Sequence, residues 1–480
     1  MAAAGLCLSG CVVGPDHVPG TVQMPATYEH EGRSASQPFD LRDWWTGWND
    51  PFLNDLIRRG LTDNLDVAQA ASRVRQARIQ VTIAGAANKP QIDAEGQGSY
   101  TKLSSNAPLG SLSGGSAGDR PGRGRPGSDF TSFRAGFDAS WEIDLFGGGA
   151  RSVQAAKARA DAAEWSRRDA QVMIAAEIAD AYFQYLTLGS RTALADADLR
   201  ARRELLDFIN VRIRSGLVTT LDARREEREI ATAVASRAAL QAEREGLRHA
   251  LGILIGTTPE ALRGQLAADA PLPSANRQIP AGLPSELLRR RPDIRAAERR
   301  LSAANADIGV ATADLFPKLN LTGALELVST ALASPLSTDS IQATAAAGLS
   351  LPLLDGGRRR ATVKLREELY RENELAYRAT VFGALRDVED ALSRSAADRL
   401  RAASLRAGAA AARDALDTTR VRYRAGLTPF LDVLDAESAS IAAADTLARA
   451  ETDARRDMIA LYKALGGGWS EEPKAKEQDR

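Results

Sequence analysis

The chain holds few side chains able to do covalent or metal chemistry. Its three histidines, His17, His30 and His249, stand far apart, and no two have the short spacing by which paired imidazoles share a metal ion. Both cysteines, Cys7 and Cys11, fall within the first eleven residues, so the body of the chain carries no disulfide and no thiolate cluster. No glycine-rich phosphate loop follows a strand, and no nucleophile can be joined to a histidine base. The runs Gly147-Gly148-Gly149 and Gly466-Gly467-Gly468 read as punctuation of helices. An enzyme is therefore not expected, and neither a cofactor nor a metal is implied. What remains is a set of carboxylates. Asp222 follows the pair Gly216-Leu217, and Asp432 and Asp435 follow Gly426-Leu427. A spacing of three puts Asp432 and Asp435 on one helix face.

One cysteine has a context of its own. Leu8-Ser9-Gly10-Cys11 closes a short apolar run with small residues and a cysteine, as the lipobox of bacterial lipoproteins does. Processing there would leave Cys11 as a diacylated N-terminus and residues 1–10 as a signal peptide. The alternative is a chance match within a signal peptide rich in small residues. No Lys or Arg precedes the apolar run, which is also shorter than a usual signal core. A start upstream of Met1 would supply both. A lipid anchor needs a second attachment to hold stably to a membrane.

The elements that must position these residues come in two similar halves. Residues 212–222, Arg-Ile-Arg-Ser-Gly-Leu-Val-Thr-Thr-Leu-Asp, match 422–432, Arg-Tyr-Arg-Ala-Gly-Leu-Thr-Pro-Phe-Leu-Asp, at an offset of 210 (216 to 426). Upstream, Lys89-Pro90-Gln91 and Phe316-Pro317-Lys318 stand 227 apart (90 to 317), so the first half carries 17 extra residues, the difference of the two offsets. They fall in the Gly-, Ser-, Pro- and Arg-rich segment 104–129, expected to be a surface loop and longer than its counterpart at 329–340.

Strands are marked by alternation. Phe133, Ala135, Phe137, Ala139, Trp141, Ile143 and Leu145 are apolar, while Arg134, Gly136, Asp138, Ser140, Glu142 and Asp144 between them are polar or glycine. The same rule holds more weakly for 91–100, for 319–327 and for 341–353. Each run has about the length of a tilted transmembrane strand. Between the strands the pattern is helical. Residues 151–214 contain no proline, and 64 residues at 1.5 Å give roughly 96 Å of helix. Ile174, Ile178, Ala181, Tyr185 and Leu188 form a coiled-coil seam, echoed by Val381, Leu385, Val388 and Leu392 in 358–424. Gly216, Gly256, Gly426 and Gly466 supply the left-handed residue that ends a helix. The expected organisation is a signal peptide over 1–10, a lipidated extended segment over 11–60, and a first repeat over 61–256 (helix, hairpin 90–146, long helix 147–214, return helix 219–256). A linker over 257–284 follows, then a second repeat over 285–468 (helix 292–316, hairpin 317–354, long helix 357–424, return helix 429–465) and a tail over 469–480.

Composition sets the environment. Charged residues make up 26% of the chain and sum to zero, which lacks the basic excess of a nucleic-acid binder. No stretch reaches the roughly 18 to 20 apolar residues of a membrane-spanning helix, which leaves a β-barrel as the means of crossing. Four strands cannot close a barrel, and an open edge cannot face lipid. Three copies would supply twelve strands. The expected fold class is thus an α+β membrane protein of antiparallel coiled-coil hairpins plus four transmembrane strands per protomer.

The run Gly282-Leu283-Pro284-Ser285-Glu286-Leu287-Leu288-Arg289-Arg290-Arg291-Pro292-Asp293-Ile294-Arg295, with Ala303-Ala304-Asn305-Ala306-Asp307-Ile308-Gly309 and Phe316-Pro317, resembles the signature of the NodT/OprM lipoproteins of the TolC family. So do Cys11-Val12-Val13-Gly14-Pro15-Asp16-His17, where the family more often has an aromatic residue at the place of His17, and Trp141 to Gly147 and Leu354 to Arg358. The resemblance covers essentially the whole chain. It implies a homotrimeric, lipid-anchored outer-membrane duct with a helical periplasmic tunnel, working with a periplasmic adaptor and an inner-membrane pump, commonly of the resistance-nodulation-division class. It also implies lipidation at Cys11, an entrance gate that includes Asp222, Tyr423, Asp432 and Asp435, and adaptor-contacting tips at Gly216, Leu217, Gly426 and Leu427. Thr428 stands where some relatives carry an arginine; Arg422 or Arg424 is the available substitute. Two other readings stand beside these. The aspartates could serve only the N-terminal end of the returning helix, with Thr428 as N-cap and Pro429 first in the helix, and each leucine could staple its own turn. For the molecule as a whole, the rival is a lipid-anchored periplasmic coiled-coil adaptor, although adaptors normally have one hairpin and a globular β-domain.

Overall fold

The computed structural model describes residues 12–18, 20, 22–29, 41–102, 104, 129–217, 219–266, 282, 284–330 and 340–469. Cys11, the signal peptide, most of the 104–129 loop, much of the linker and the tail beyond 469 lie outside the described residues. The elements are α1 (Pro51–Asp63), α2 (Leu65–Ala86), β1 (Gln91–Lys102), β2 (Asp129–Ile143), α3 (Gly148–Arg214), α4 (Thr220–Leu254), α5 (Leu287–Arg290), α6 (Pro292–Ala313), β3 (Lys318–Ser329), β4 (Ile341–Ser350), α7 (Arg358–Arg424) and α8 (Phe430–Ala464). The repeat keeps its helix lengths: α2 and α6 have 22 residues each, α3 and α7 have 67, and α4 and α8 have 35.

Boundaries differ from expectation where local chemistry decides them. Residues up to 60 were expected to be extended, yet α1 begins at Pro51. Asp50 supplies its N-cap, its carboxylate accepting from Phe52 N and Leu53 N at 2.9 and 3.1 Å, and proline at the first helical position has no N–H to leave unpaired. Helix α6 stops at Ala313 and finishes in turns, with Phe316 N bonding Ala313 O at 3.1 Å, because Pro317 disfavours the helical region for Phe316. Strand β2 ends at Ile143, so Leu145 lies past the sheet; Asp144 instead accepts from Ala150 N at 2.8 Å in the first turn of α3. Strand β4 ends at Ser350, leaving Leu351 and Leu353 outside it, since Pro352 cannot donate to a ladder.

The chain forms two compact units. The first comprises residues up to 19, 77–160 and 300–373 and contains the sheet; the second comprises 20–76, 161–299 and 374–480. The sheet is antiparallel in the order β1-β2-β3-β4. In the second unit, Leu53, Leu56 and Ile57 of α1 are buried with Ile178 and Phe183 of α3, and a Cβ on Gly60 would come within 2.2 Å of Ile178 Cδ1. Polar links identify the neighbours among the long helices. Arg202 reaches Glu226 from α3 to α4 at 3.5 Å, Arg191 reaches Asp445 from α3 to α8 at 2.7 Å, and Arg401 reaches Asp453 from α7 to α8 at 3.2 Å. The seam residues Ile174, Ile178, Ala181, Tyr185 and Leu188 are all buried, as are Val381 and Val388; Leu385 and Leu392 are half-buried.

Candidate functional site: hairpin tips and a two-faced sheet

The two tips are built alike. Helix α3 ends with Gly216 N bonding Ile213 O and Leu217 N bonding Arg212 O, both at 2.9 Å; α7 ends with Gly426 N to Tyr423 O and Leu427 N to Arg422 O, also at 2.9 Å. This paired closure needs a left-handed residue, and the glycines have φ of 70° and 72°. It turns the following leucines outward: Leu217 is 64% and Leu427 70% exposed. Neither leucine therefore packs down as a staple within the protomer.

Asp222 and Asp432 occupy equivalent places, the third residue of α4 and of α8, where a carboxylate favours the positive end of the helix. The caps differ from the sequence expectation. Pro429 is the N-cap of α8 and Phe430 its first residue, while the Thr428 hydroxyl bonds the Asp432 carboxylate rather than a backbone N–H. In the first repeat Thr219 Oγ1 lies 3.4 Å from Asp222 Oδ2. Asp432 and Asp435 are exposed, and Asp222 is half-exposed. Among the described residues, Arg422 and Arg424 form no ion pair inside the protomer, and both are exposed.

Tyr423 is 39% exposed and joins a cluster that composition alone does not reveal. Its ring lies 5.2 Å from that of Phe430, which in turn lies 4.6 Å from Phe208 of α3. Phe430 thus ties the second tip to the first. The only sequence signal was the presence of aromatics so near two glycine turns, in a chain where aromatics are 5%.

Further from the tips, Asp457 of α8 and Asp398 of α7 face the same cleft of roughly 410 Å3, which Glu177 and Asp180 of α3 and Arg394, Asp453, Arg456 and Lys463 also line. Burial first, and then the neighbouring Asp398 carboxylate, push Asp457 up to about 7.

The sheet has two unlike faces. Paired residues of an antiparallel ladder project to the same side. Ile92 pairs with Ala139, Ala94 with Phe137, Phe137 with Leu325, Trp141 with Leu321, Leu325 with Ala343 and Leu327 with Ile341, so one face is apolar across all four strands. The other carries Asp93 opposite Asp138, Gln97 opposite Arg134, and Glu326 opposite Gln342, with Arg134 Nε 3.6 Å from Glu326. The apolar face is exposed in the protomer at Ile92, Phe137, Leu325 and Ile341. A contiguous exposed apolar face of this kind is covered by lipid or protein. Strands β1 and β4 are its open edges.

Such a sheet, carried with paired long hairpins, defines a channel protomer whose barrel closes by oligomerisation. The model of the outer membrane efflux protein family matches residues 56–257 and 283–467, one match per repeat, and the chain belongs to that family. It is 33% identical over 446 residues to the pyoverdine export outer membrane protein OpmQ of Pseudomonas putida, covering 93% of this chain and 92% of that one. It is 29% identical over 469 residues to Nodulation protein T of Rhizobium leguminosarum bv. viciae, covering 97% and 92%. The solved outer-membrane channel OprN superposes with a TM-score of 0.83 at 32% identity, covering 96% of this chain and all of that one. The protein is accordingly an outer-membrane efflux channel that extends into the periplasm, with the fold of trimeric channels in which four strands per protomer contribute to the barrel. The expected rival, a coiled-coil adaptor, is set aside by the same findings.

Proposed function

We propose that this channel is the passive duct of a tripartite pump whose periplasmic adaptor seats on the tips at Gly216-Leu217 and Gly426-Leu427, with Asp222, Tyr423, Asp432 and Asp435 forming its entrance gate and Cys11 its lipid anchor. The observation that carries the reading is the pair of outward leucines, each held by the same backbone closure at matching positions of the two repeats. Large apolar side chains displayed at a turn suit a protein partner. The duct has no energy source of its own; an inner-membrane pump, of the resistance-nodulation-division class, supplies it. Small toxic compounds are the cargo that this arrangement suits.

Replacing Leu217 and Leu427 together by Asp tests the contact. Both side chains are exposed, so trimer yield in the outer membrane is expected to stay unchanged while efflux falls to the level of cells lacking the channel. Efflux at the original rate would remove the leucines from the docking surface. Mass spectrometry of the mature N-terminus checks the anchor, and an unmodified Cys11 would end that part of the proposal.

A further inference from the structure

The segment that follows Cys11 is held far more firmly than a tether requires. Val13 N bonds Phe146 O at 3.1 Å, just past the end of β2. Arg151, in the first turn of α3, donates from Nε to Val13 O at 3.2 Å, from Nη2 to Gly14 O at 3.2 Å and to Asp16 Oδ1 at 2.9 Å, and from Nη1 to Gln154 Oε1 at 2.9 Å. The Arg151 side chain is only 4% exposed, whereas that of Asp16 is 91% exposed. Asn305 of α6, also buried, donates to Pro15 O at 2.8 Å. The backbone approaches are as close as glycine allows. A Cβ on Gly14 would stand 2.5 Å from Gly309 Cα, one on Gly147 would stand 2.8 Å from Val12 Cα, and one on Gly309 would stand 2.8 Å from the Arg151 side chain.

A buried guanidinium is costly unless its donors are satisfied. Here two backbone carbonyls and one carboxylate of the arm meet that need, so the start of α3 is complete only with the arm in place. Val12 is the immediate neighbour of Cys11, and one residue spans about 3.5 Å. The geometry points to Arg151 as a positioning residue for the membrane anchor: with Asn305 and the Gly14–Gly309 contact it clamps residues 12–16 at the foot of β2. The acyl chains on Cys11 then enter the bilayer at a set place beside the sheet. This rests on the lipidation of Cys11 proposed above. The anchor is therefore no loose leash; it holds the foot of β2 close to the membrane surface while the barrel inserts.

The test uses the full chain in its native membrane. Arg151→Met removes the clamp, and Asp16→Asn removes only the negative charge of the exposed arm carboxylate while keeping an oxygen to which Arg151 can donate. Each is made with Cys11 present and in a Cys11→Ser background, and outer-membrane trimer is measured beside a nitroxide label at Val18→Cys. With Cys11 present, Arg151→Met is expected to lower trimer yield several-fold and Asp16→Asn to lower it less, while both free the label at position 18 and leave a control label at Val211→Cys unchanged. With Cys11→Ser, neither is expected to lower the yield further, because a clamp has nothing to position when the lipid is gone. An equal drop in both backgrounds, or a label at position 18 that stays immobile in Arg151→Met, would overturn the inference and leave lipidation standing. An unacylated Cys11 in the unaltered protein, read by mass spectrometry, would overturn both.

Discussion

Asp432 shows how one side chain satisfies two demands. In the first turn of α8 the Asp432 carboxylate stabilises the helix by roughly 0.3–1 kcal/mol, and Thr428 bonds it. Asp432 and Asp435 are nevertheless both exposed, and in a trimer the same residues recur about one axis. If they line the entrance, Asp432→Asn with Asp435→Asn lowers cation selectivity in planar bilayers, read as a shift of reversal potential in a salt gradient; an unaltered potential would reduce them to helix-end residues. Asp457 behaves differently because it is partly buried, and secondly because a second carboxylate, Asp398, stands near it. Its folded value of about 7 lies above the ordinary 3.8, so the folded protein holds a proton that the unfolded chain releases. Stability contributed by that proton is complete below pH about 4 and is lost as pH rises from there through about 7. Asp457→Asn places a neutral amide beside Asp398 at every pH and so removes this titration. Measured by thermal unfolding, its stability relative to the unaltered protein is expected to grow between pH 4 and pH 7 and to level off above, whereas a parallel pair of curves would show that Asp457 titrates normally.

At the scale of elements, four helices end in the same glycine closure, yet the four glycines are not equivalent. At Gly216 and Gly426 a Cβ would have open space, with nothing within 4 Å, so an alanine there meets only the left-handed backbone. At Gly256 a Cβ would come within 2.1 Å of Asp63 O, and at Gly466 within 2.9 Å of Arg290 O. Gly216→Ala and Gly426→Ala are expected to cost about 1 kcal/mol each; Gly256→Ala and Gly466→Ala are expected to cost clearly more, since backbone must shift as well. Heat-dissociation of the trimer on gels ranks the four. Those glycines, and the proline after each helix that leads into the sheet, are why so much of the fold was legible: Gly216, Gly426, Pro90 and Pro317 fix element ends through local backbone chemistry. Phe208 against Phe430 and Asp398 against Asp457 were not legible for the opposite reason. Each pair depends on which long helices are neighbours, and periodicity names the buried face of a helix without naming what covers it. The Arg151 clamp was hidden likewise, because its partners are mostly backbone carbonyls, which no residue type announces.

For the whole molecule, the decisive property is that one protomer is incomplete. Its sheet ends in the unpaired edges of β1 and β4, and its apolar face is exposed at Phe137, Leu325 and Ile341. Exposed apolar residues also mark α4 at Val234 and α7 at Leu365, Leu375 and Phe382, helices that a neighbouring copy can cover. Lipid resolves the first exposure and the trimer the second, so insertion and assembly are coupled through the polarity of the sheet. Neighbouring residues in β2 isolate that coupling. Phe137 and Asp138 are adjacent near the middle of the strand and therefore lie at almost the same depth on opposite faces, Phe137 between Ala94 and Leu325, Asp138 between Asp93 and Ala324. A lysine on the lipid face near the midplane costs about 2–4 kcal/mol per copy, and a trimer bears that cost three times. Phe137→Lys is thus expected to abolish heat-resistant trimer in the outer membrane. Asp138→Lys places the same side chain on the polar face and relieves two carboxylates set opposite each other, so trimer yield is expected to hold while single-channel currents become less cation-selective. Loss of trimer in both variants would mean that the two faces of the sheet are not lipid and lumen, and the barrel would have to close the other way round or not at all.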